Sequence, residues 1–156
     1  MSYTISHAFP GIGLTLSIGN TSSPITYTTI GEVKGVAGPD LKVETADVTN
    51  VESPGGVKEF KPTLTDPGEL DFTCNYIPDD AGQIALQTAA LETTKPVLPF
   101  QLSLPAASLQ GSEVTPGAWN FNGIVNGLKY DTPLDKEATV AVKIKVSGLP
   151  SFTAAH

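Results

Sequence analysis

Arginine is absent from this chain, and acidic residues outnumber basic ones. All nine basic residues are Lys, against sixteen Asp and Glu, which gives a formal net charge of −7. Arginine provides the bidentate fork that proteins use on phosphate and guanine, so a chain without it is poorly equipped to hold nucleic acid. We therefore expect the long-range interaction of this protein with DNA to be repulsive.

Cysteine and histidine are also scarce, which removes most familiar chemistry. Cys74 is the single cysteine, so no intrachain disulfide can form, and we expect it to be buried as a small apolar residue. His7 and His156 lie near opposite ends of the chain. No zinc-binding spacing and no phosphate-binding glycine loop is present, and the acidic residues between 40 and 47 do not match a calcium-binding loop. The sequence predicts no catalytic residue, no metal site and no cofactor.

Long apolar runs are missing as well. No segment approaches the ~18 consecutive apolar residues of a transmembrane helix. The first residues, MSYTISHAFPGIG, have neither the basic region nor the apolar region of a signal peptide. We expect a protein that does not span a membrane and folds in a cytoplasm.

What the sequence has in abundance is two-residue alternation. With 15 Gly and 13 Pro, it is typical of short strands and many turns, and we predict seven to nine strands. Four segments each combine an apolar face with a hydrophilic one, which favours an antiparallel sheet packed on one side only. Their apolar faces are Leu70, Phe72, Cys74 and Tyr76; Leu98, Phe100, Leu102 and Leu104; Trp119, Phe121 and Val125; and Val140, Val142, Ile144 and Val146.

One segment, residues 78–93, has a helical pattern instead. Asp80 is placed to cap the helix N-terminus, with Gln83 three residues later, as in a capping box. An apolar stripe is predicted on the helix face that carries Ala81, Ile84, Ala85 and Leu91.

The stretch GELDFTCNY (68–76) places two carboxylates, Glu69 and Asp71, on the hydrophilic face of one strand. Two carboxylates at this spacing are compatible with a glycosidase pair, but the face offers no third catalytic group and no aromatic cleft. A solvated surface is the favoured interpretation, and a small hydrolase is the less favoured one.

The order of motifs across the chain resembles phage tail tube proteins of the lambda-like siphovirus type. The likeness rests on ETADVT (44–49), a polar loop with SPGG (53–56), KEF (58–60), DPGELDF (66–72) and NYIP (75–78). The later segments WNFNGIVNGL (119–128) and ATVAVKIKVSG (138–148) resemble the last strands of that family. Some members carry an additional immunoglobulin-like domain at the C-terminus, which we do not expect here.

The resemblance implies a mainly β protein, a β-sandwich or barrel with one α-helix, that assembles into hexameric rings with a continuous inner β-barrel. Stacked rings would form the channel for genome ejection. The likeness covers residues 12–149, so we divide the chain into an N-terminal arm (1–11), a tail tube domain (12–149) and a C-terminal tail (150–156). The final SFTAAH (151–156) is expected to be a loose end. The implied partners are further copies of the chain, a tape measure protein, and tail-tip and terminator proteins, with DNA passing through the lumen without specific binding. The implied location is the virion tail, assembled in the host cytoplasm.

The resemblance also assigns roles to residues. The candidates for the lumen are Glu69, Asp71, Thr73, Asn75, Gln101, Ser103, Asn120 and Asn122. Lys143 and Lys145 are expected either to pair with these acids across subunits or to face outward. The segment 46–65 is expected to be an irregular loop that contacts neighbouring subunits and rings, together with the N-terminal arm. Its contact residues are Asp47, Thr49, Glu52, Ser53, Pro54, Gly55, Gly56, Val57 and Lys58.

A second function remains open at the level of sequence. A monomeric β-sandwich that binds carbohydrate or decorates a virion would have the same composition. Such a module needs exposed aromatic side chains, whereas Trp119 and Phe121 are predicted on the packed face.

Overall fold

The computed structural model describes residues 6–156 and contains nine strands and one α-helix. No helix in this range is long and apolar enough to cross a membrane. Two short 3-10 turns, Pro54–Gly56 and Ala106–Ser108, lie in loops. In chain order the elements are β1 (Thr15–Gly19), β2 (Tyr27–Thr29), β3 (Val33–Ala37), β4 (Lys42–Asp47), β5 (Phe60–Asp66), β6 (Glu69–Asn75), α1 (Ala81–Leu91), β7 (Leu98–Ser103), β8 (Ala118–Asp131) and β9 (Thr139–Thr153).

Seven strands form one antiparallel sheet in the order β2-β1-β7-β8-β9-β6-β3, and β4 pairs with β5 in a separate two-stranded sheet. The pairing of the long central strands β8 and β9 shifts register twice, between Asn120 and Asn122 and between Val125 and Gly127. Such bulges bend a strand and increase its twist. The predicted fold class, mainly β with one helix, is confirmed.

A single core lies on one side of the seven-stranded sheet, where α1 packs. Phe100 and Phe121 stack at its centre with ring centroids 5.6 Å apart. Fully burying a side chain of this size stabilises the fold by roughly 1.5–3 kcal/mol. The predicted apolar faces supply most of this core, in particular Leu70, Phe72, Cys74, Phe100, Leu102, Phe121, Val125, Val140, Val142, Ile144 and Val146.

Cys74 is buried as predicted. Burial, with a smaller contribution from the negative charge of Asp80, raises the pKa of the Cys74 thiol to about 11. The thiol therefore stays protonated at neutral pH, and it acts as a small apolar side chain of the core.

The helix begins where the sequence predicts. Asp80 is the N-cap, and its carboxylate accepts a hydrogen bond from the backbone N–H of Gln83 at 3.0 Å. The Gln83 side chain does not complete a capping box. It is buried, accepts from Ile77 N and donates to the carbonyls of Gly31 and Asn75.

The predicted apolar stripe of the helix is wrong for Ala81, Ile84 and Leu91, whereas Ala85 is partly buried and packs against the core. The buried helix residues are Gly82, Gln83, Leu86 and Ala89, whereas Ile84 and Leu91 are exposed. The reason is a close approach between helix and sheet at Gly82, where an added Cβ would meet the carbonyl oxygen of Thr29 at 2.5 Å. That approach turns the Gly82 side of the helix, rather than the Ile84 side, toward the core.

The ends of two predicted segments also differ. The segment 25–30 forms only the three-residue strand β2. The expected loose end is wrong for residues 151–153, which belong to β9 and extend it to Thr153. His156 then exchanges backbone hydrogen bonds with Thr115, so the last residue is also held against the fold.

Candidate functional site

The eight predicted lumen residues all lie on the face of the seven-stranded sheet that points away from the core. Each of them alternates along its strand with buried residues such as Leu70, Phe100 and Phe121. Strands β6 and β7 lie on either side of the β8–β9 pair. A hydrogen bond of 3.3 Å from Asn126 Nδ2 to Glu69 Oε1 links β8 to β6 across β9. We define this surface as the hydrophilic face.

The strand register shows on which face of the sheet Lys143 and Lys145 lie. Lys145 lies opposite Glu69 and Lys143 lies opposite Asp71 in the pairing of β6 with β9. Opposite residues of an antiparallel pair share a face, so the lysines lie on the hydrophilic face with the acids. This brings the charges into proximity within one chain, and the strand register alone accounts for it.

Lys145 also connects the hydrophilic face to the end of β5. Its Nζ lies 3.2 Å from Asp66 Oδ1. The backbone N–H of Gly68 donates to the same carboxylate at 2.9 Å. The Gly68 bond, followed by Lys145, holds the pKa of Asp66 below its usual value. Both partners are largely solvent-exposed, so this ion pair positions the strand ends more than it stabilises the fold.

Asn75 occupies the end of the hydrophilic face and has a partly structural role. Its Nδ2 donates to Glu32 Oε2 at 2.9 Å, and its backbone carbonyl accepts from Gln83. The Asn75 side chain therefore ties β6 to the turn between β2 and β3. Of the eight predicted residues it is the one most engaged within its own chain.

The segment predicted as an irregular loop is an ordered arm. Residues 42–47 and 60–66 form the strands β4 and β5, so the prediction of irregular structure over 46–65 is wrong for both ends of that range. LKVET (41–45) has a strand pattern and covers most of β4, but β5 is not recognisable, because all of its residues are exposed and no buried face imposes an alternation. We define residues 42–66 as the hairpin arm.

The nine predicted contact residues lie at the tip of the hairpin arm. The tip is organised by its own side chains: Asp47 Oδ1 accepts from the backbone and hydroxyl of Thr49, and Thr49 Oγ1 accepts from Glu59 N at 2.8 Å. Ser53 donates to the Glu59 carboxylate at 2.7 Å. The Thr49 hydroxyl, and then the Thr49 N–H, lower the pKa of Asp47. The tip thus has a defined shape without contact to the core.

The exposure of Trp119 corrects a further prediction. It lies opposite the core residue Leu102, and therefore on the packed face as predicted, but its side chain is 37% exposed, whereas Phe121 is buried. Trp119 stacks against Phe152 with ring centroids 5.0 Å apart, and Phe152 is exposed too. Sequence reasoning missed this pair because Phe152 lies in the segment that was predicted to be a loose tail.

The seven-stranded sheet thus has one hydrophilic face, and the hairpin arm beside it has no core of its own. The model for the lambda phage tail tube protein family matches residues 13–153. The chain belongs to this family, and it is a structural protein of the virion tail. Comparison with curated protein sequences finds no match.

Solved structures share the fold at low sequence identity. The tail of an empty gene transfer agent particle, determined with C6 symmetry, superposes with a TM-score of 0.70 at 21% identity, covering 94% of this chain and 100% of that one. The SPP1 tail tube gives 0.68 at 11% identity, covering 94% and 81%. A subunit of the sheath-tube complex of an extracellular contractile injection system gives 0.68 at 14%, covering 96% and 94%.

Proposed function

We propose that the chain is the major subunit of a phage tail tube, in which hexameric rings stack head to tail around a continuous channel. The observation that carries this proposal is the hairpin arm, whose strand residues are all exposed. An isolated two-stranded hairpin is marginally stable in water, so a neighbouring copy is the natural source of its missing contacts. The similar gene transfer agent tail has six-fold symmetry, which supports a hexamer here.

Ring formation would also cover or pair the open edges of the seven-stranded sheet. Strands β2 and β3 stand at its two ends with one side unpaired. Unpaired edges invite uncontrolled association, and natural proteins remove them by pairing or covering. In the proposed ring, each subunit closes these edges against its neighbours, and the top and bottom surfaces differ so that rings can continue to stack.

In this assembly the hydrophilic face lines the lumen. Its candidates are those predicted from the sequence, with the charge of Glu69 and Asp71 moderated by Lys145 and Lys143 opposite them. A lining that alternates acid, base and amide has no arginine fork for phosphate. Even ~1 kcal/mol of attraction per ring would accumulate along the tube and retard ejection, because 1.4 kcal/mol is about a tenfold change.

The partners follow from the same proposal. The division into an N-terminal arm (1–11), the tube domain (12–149) and a C-terminal tail (150–156) stays a prediction. Residues 150–153 of that tail continue strand β9, and residues 1–5 of the N-terminal arm lie outside the described part of the chain. The tube would enclose a tape measure protein during assembly in the host cytoplasm. Its two ends would meet tail-tip and terminator proteins.

We propose no catalytic activity, because Glu69 and Asp71 are exposed on an open sheet.

The proposed assembly is tested by a deletion at the tip of the hairpin arm. Removing residues 53–57 should leave a folded monomer, because these residues contact no core, but it should block tube growth. Circular dichroism checks the fold, and negative-stain electron microscopy of concentrated protein checks for rings and tubes. Deletion of Gly111 and Ser112, two exposed residues of another loop, is the control. If the tip deletion still forms normal tubes, the tip of the hairpin arm is not needed for assembly.

A second experiment tests the lumen assignment. Tubes carrying Glu69→Lys and Asp71→Lys should retain DNA on sedimentation at low salt and release it as salt rises. Wild-type tubes should not retain it. If the substituted tubes bind no more DNA than wild type, the hydrophilic face does not line an accessible channel.

The alternative function is a monomeric binding or virion-decoration module. One observation favours it, namely the exposed Trp119 stacked on Phe152. Light scattering distinguishes the two functions, because the module would remain monomeric at concentrations at which a tube subunit assembles.

A further inference from the structure

An open apolar cavity lies at one end of the β8–β9 pair. It has a volume of about 270 Å³, and no charged residue lines it. Trp119 and Phe152, which are opposite residues of β8 and β9, pack against each other beside it with ring centroids 5.0 Å apart. An apolar depression of this kind at the surface is typical of an interaction site. We name it the Trp119 cavity, and its principal lining residues are Trp119, Pro39, Leu41, Leu102, Leu104 and Leu149.

A bulge in β9 forms one wall of the Trp119 cavity. Between Asn120 and Asn122 of β8 the pairing with β9 shifts, and residues 148–150 of β9 stand opposite a single residue of β8. Leu149 lies in this bulge, lines the cavity and is 78% exposed. Because regular pairing with β8 continues on both sides of the bulge, the cavity is part of the strand geometry rather than of a loop.

The opposite end of the same strand pair carries a prominent apolar side chain. The loop 132–138 joins β8 to β9, and its Leu134 is fully exposed. A single exposed leucine is common on protein surfaces and means little by itself. This loop is anchored, however, because Lys34 Nζ donates to Glu137 Oε1 at 2.6 Å and thereby ties the loop to β3. The same ion pair compensates the charge of Glu137.

We propose that Leu134 of one subunit inserts into the Trp119 cavity of a second copy in the next ring. This inference rests on the proposed stacking of rings and names a contact between them. Most of the length of β8 separates Trp119 from the loop, roughly 40 Å at ~3.3 Å per residue, so a subunit cannot make this contact with itself. A contact between two different surfaces at opposite ends of identical subunits repeats without closing, as a stack requires.

The size of the Trp119 cavity suits a leucine side chain. An engineered apolar cavity of about 150 Å³ is enough to bind benzene, and the Trp119 cavity is larger. Insertion would bury Leu134 together with the exposed parts of Leu149 and Trp119. Both sides of the contact are apolar, so the removal of this surface from water favours the contact.

The charges beside the cavity match those beside Leu134. Asp40 and Lys42 stand on either side of a cavity residue in the sequence, and their side chains pair at 3.1 Å. The two residues that follow Leu134 are Asp135 and Lys136. Each side of the contact thus presents one acid and one base, and the acid of one copy can face the base of the other. The contact therefore brings no net charge together, although each subunit carries −7.

Substitution of Leu134 tests the contact. Leu134→Ser should still form rings, but it should raise the concentration required for tubes by about tenfold or more, because a buried leucine contributes enough free energy for a factor of that size. Leu134→Met keeps an apolar side chain and should assemble like wild type. Leu91→Ser is the matched control, because Leu91 is also strongly exposed but lies on the helix. Negative-stain electron microscopy distinguishes rings from tubes, and circular dichroism checks that each variant is folded.

Fluorescence reports on the cavity directly, because Trp119 is the single tryptophan. In wild-type tubes its emission should shift to shorter wavelength and become protected from acrylamide quenching. In unstacked rings of Leu134→Ser, Trp119 should remain as accessible as in the monomer. Protection of Trp119 in these rings would assign the cavity to a neighbour within the ring and would overturn the inference.

Cross-linking identifies the residues in contact. The double variant Leu134→Cys with Leu149→Cys, treated with a short bis-maleimide at a concentration that gives tubes, should yield a ladder of covalent multimers. The control pair, Leu91→Cys with Leu149→Cys, should not. Native Cys74 does not interfere, because it is buried and its pKa is raised to about 11.

The outcomes separate this inference from the proposed function. Leu134→Ser protein that forms tubes at the wild-type concentration, or tubes that give no ladder with the Leu134 pair, would overturn the contact and leave the tube subunit intact. Loss of rings as well as tubes in Leu134→Ser would place Leu134 in the ring contact and would also overturn it. Wild-type protein that forms neither rings nor tubes would count against both proposals. Rings without tubes in Leu134→Ser, together with a Leu134-specific ladder, would establish the contact.

Discussion

The strand pairs β6–β9 and β4–β5 use similar residues to opposite effect. In β6, Leu70, Phe72 and Cys74 are buried and alternate with more exposed polar residues. In β5, Phe60 and Leu64 also alternate with polar residues, yet every position is exposed. The difference is that β6 has a core to cover and β5 has none within its own chain. Apolar alternation thus marks a surface to be covered, and it does not say which molecule covers it.

The largest effect is expected from a Leu→Ala substitution, which we compare at one site in β6 and one site in β5. Leu70→Ala removes a fully buried side chain, and it should lower the free energy of unfolding by about 2–5 kcal/mol through lost burial and the resulting cavity. Leu64→Ala, on the hairpin arm, should change it by less than ~0.5 kcal/mol. Urea denaturation of the monomers measures both values.

In tube assembly the two variants should rank the other way, with Leu64→Ala having the larger effect. Leu70→Ala protein that remains folded should still form tubes, whereas Leu64→Ala protein should need a higher concentration. The comparison would break if Leu64→Ala destabilised the monomer as much as Leu70→Ala. That result would mean that the arm packs on its own chain.

An intermediate effect is expected where the helix joins the sheet. Gln83→Ala should lower the free energy of unfolding by about 1–3 kcal/mol, because it leaves the N–H of Ile77 and two carbonyl groups without their partner. Gln87→Ala, on the exposed side of the same helix, is the matched control and should be nearly neutral. Thermal unfolding followed by circular dichroism compares the two. Equal effects would show that the Gln83 contacts contribute nothing specific.

The parts of the fold that could be predicted from sequence are those whose own neighbours dictate them. The alternation in β6, β7 and β9 identified the core face because one side of each strand is buried in the same chain. Asp80 was identified as the helix cap because its hydrogen bond is made three residues away. These signals are local, and a single sequence contains them.

The parts that were missed depend on distant segments. The helix face was wrong because Gly82 approaches Thr29, about fifty residues earlier in the chain. The pairing of Lys143 with Asp71 depends on the register between β6 and β9, which no local pattern shows. The stacking of Trp119 on Phe152 depends on the extension of β9 to Thr153. The hairpin arm was hidden because neither of its faces is buried.

The smallest expected effect concerns Asp66, the residue at which the arm joins the core sheet. Its folded-state pKa should lie below the usual 3.8. A lowered pKa stabilises the fold above pH 3.8 and loses that contribution as the pH falls through the lowered value, so only strongly acidic conditions should loosen the joint. Lys145→Met should raise the pKa of Asp66 only partway toward 3.8, because the Gly68 N–H bond, the largest single cause of the lowered pKa, remains. Carboxyl NMR titration measures this, with Lys143→Met as the control. A full return to 3.8 would make Lys145 the principal link between the two regions, and no change would show that the turn at Gly68 holds the arm by itself.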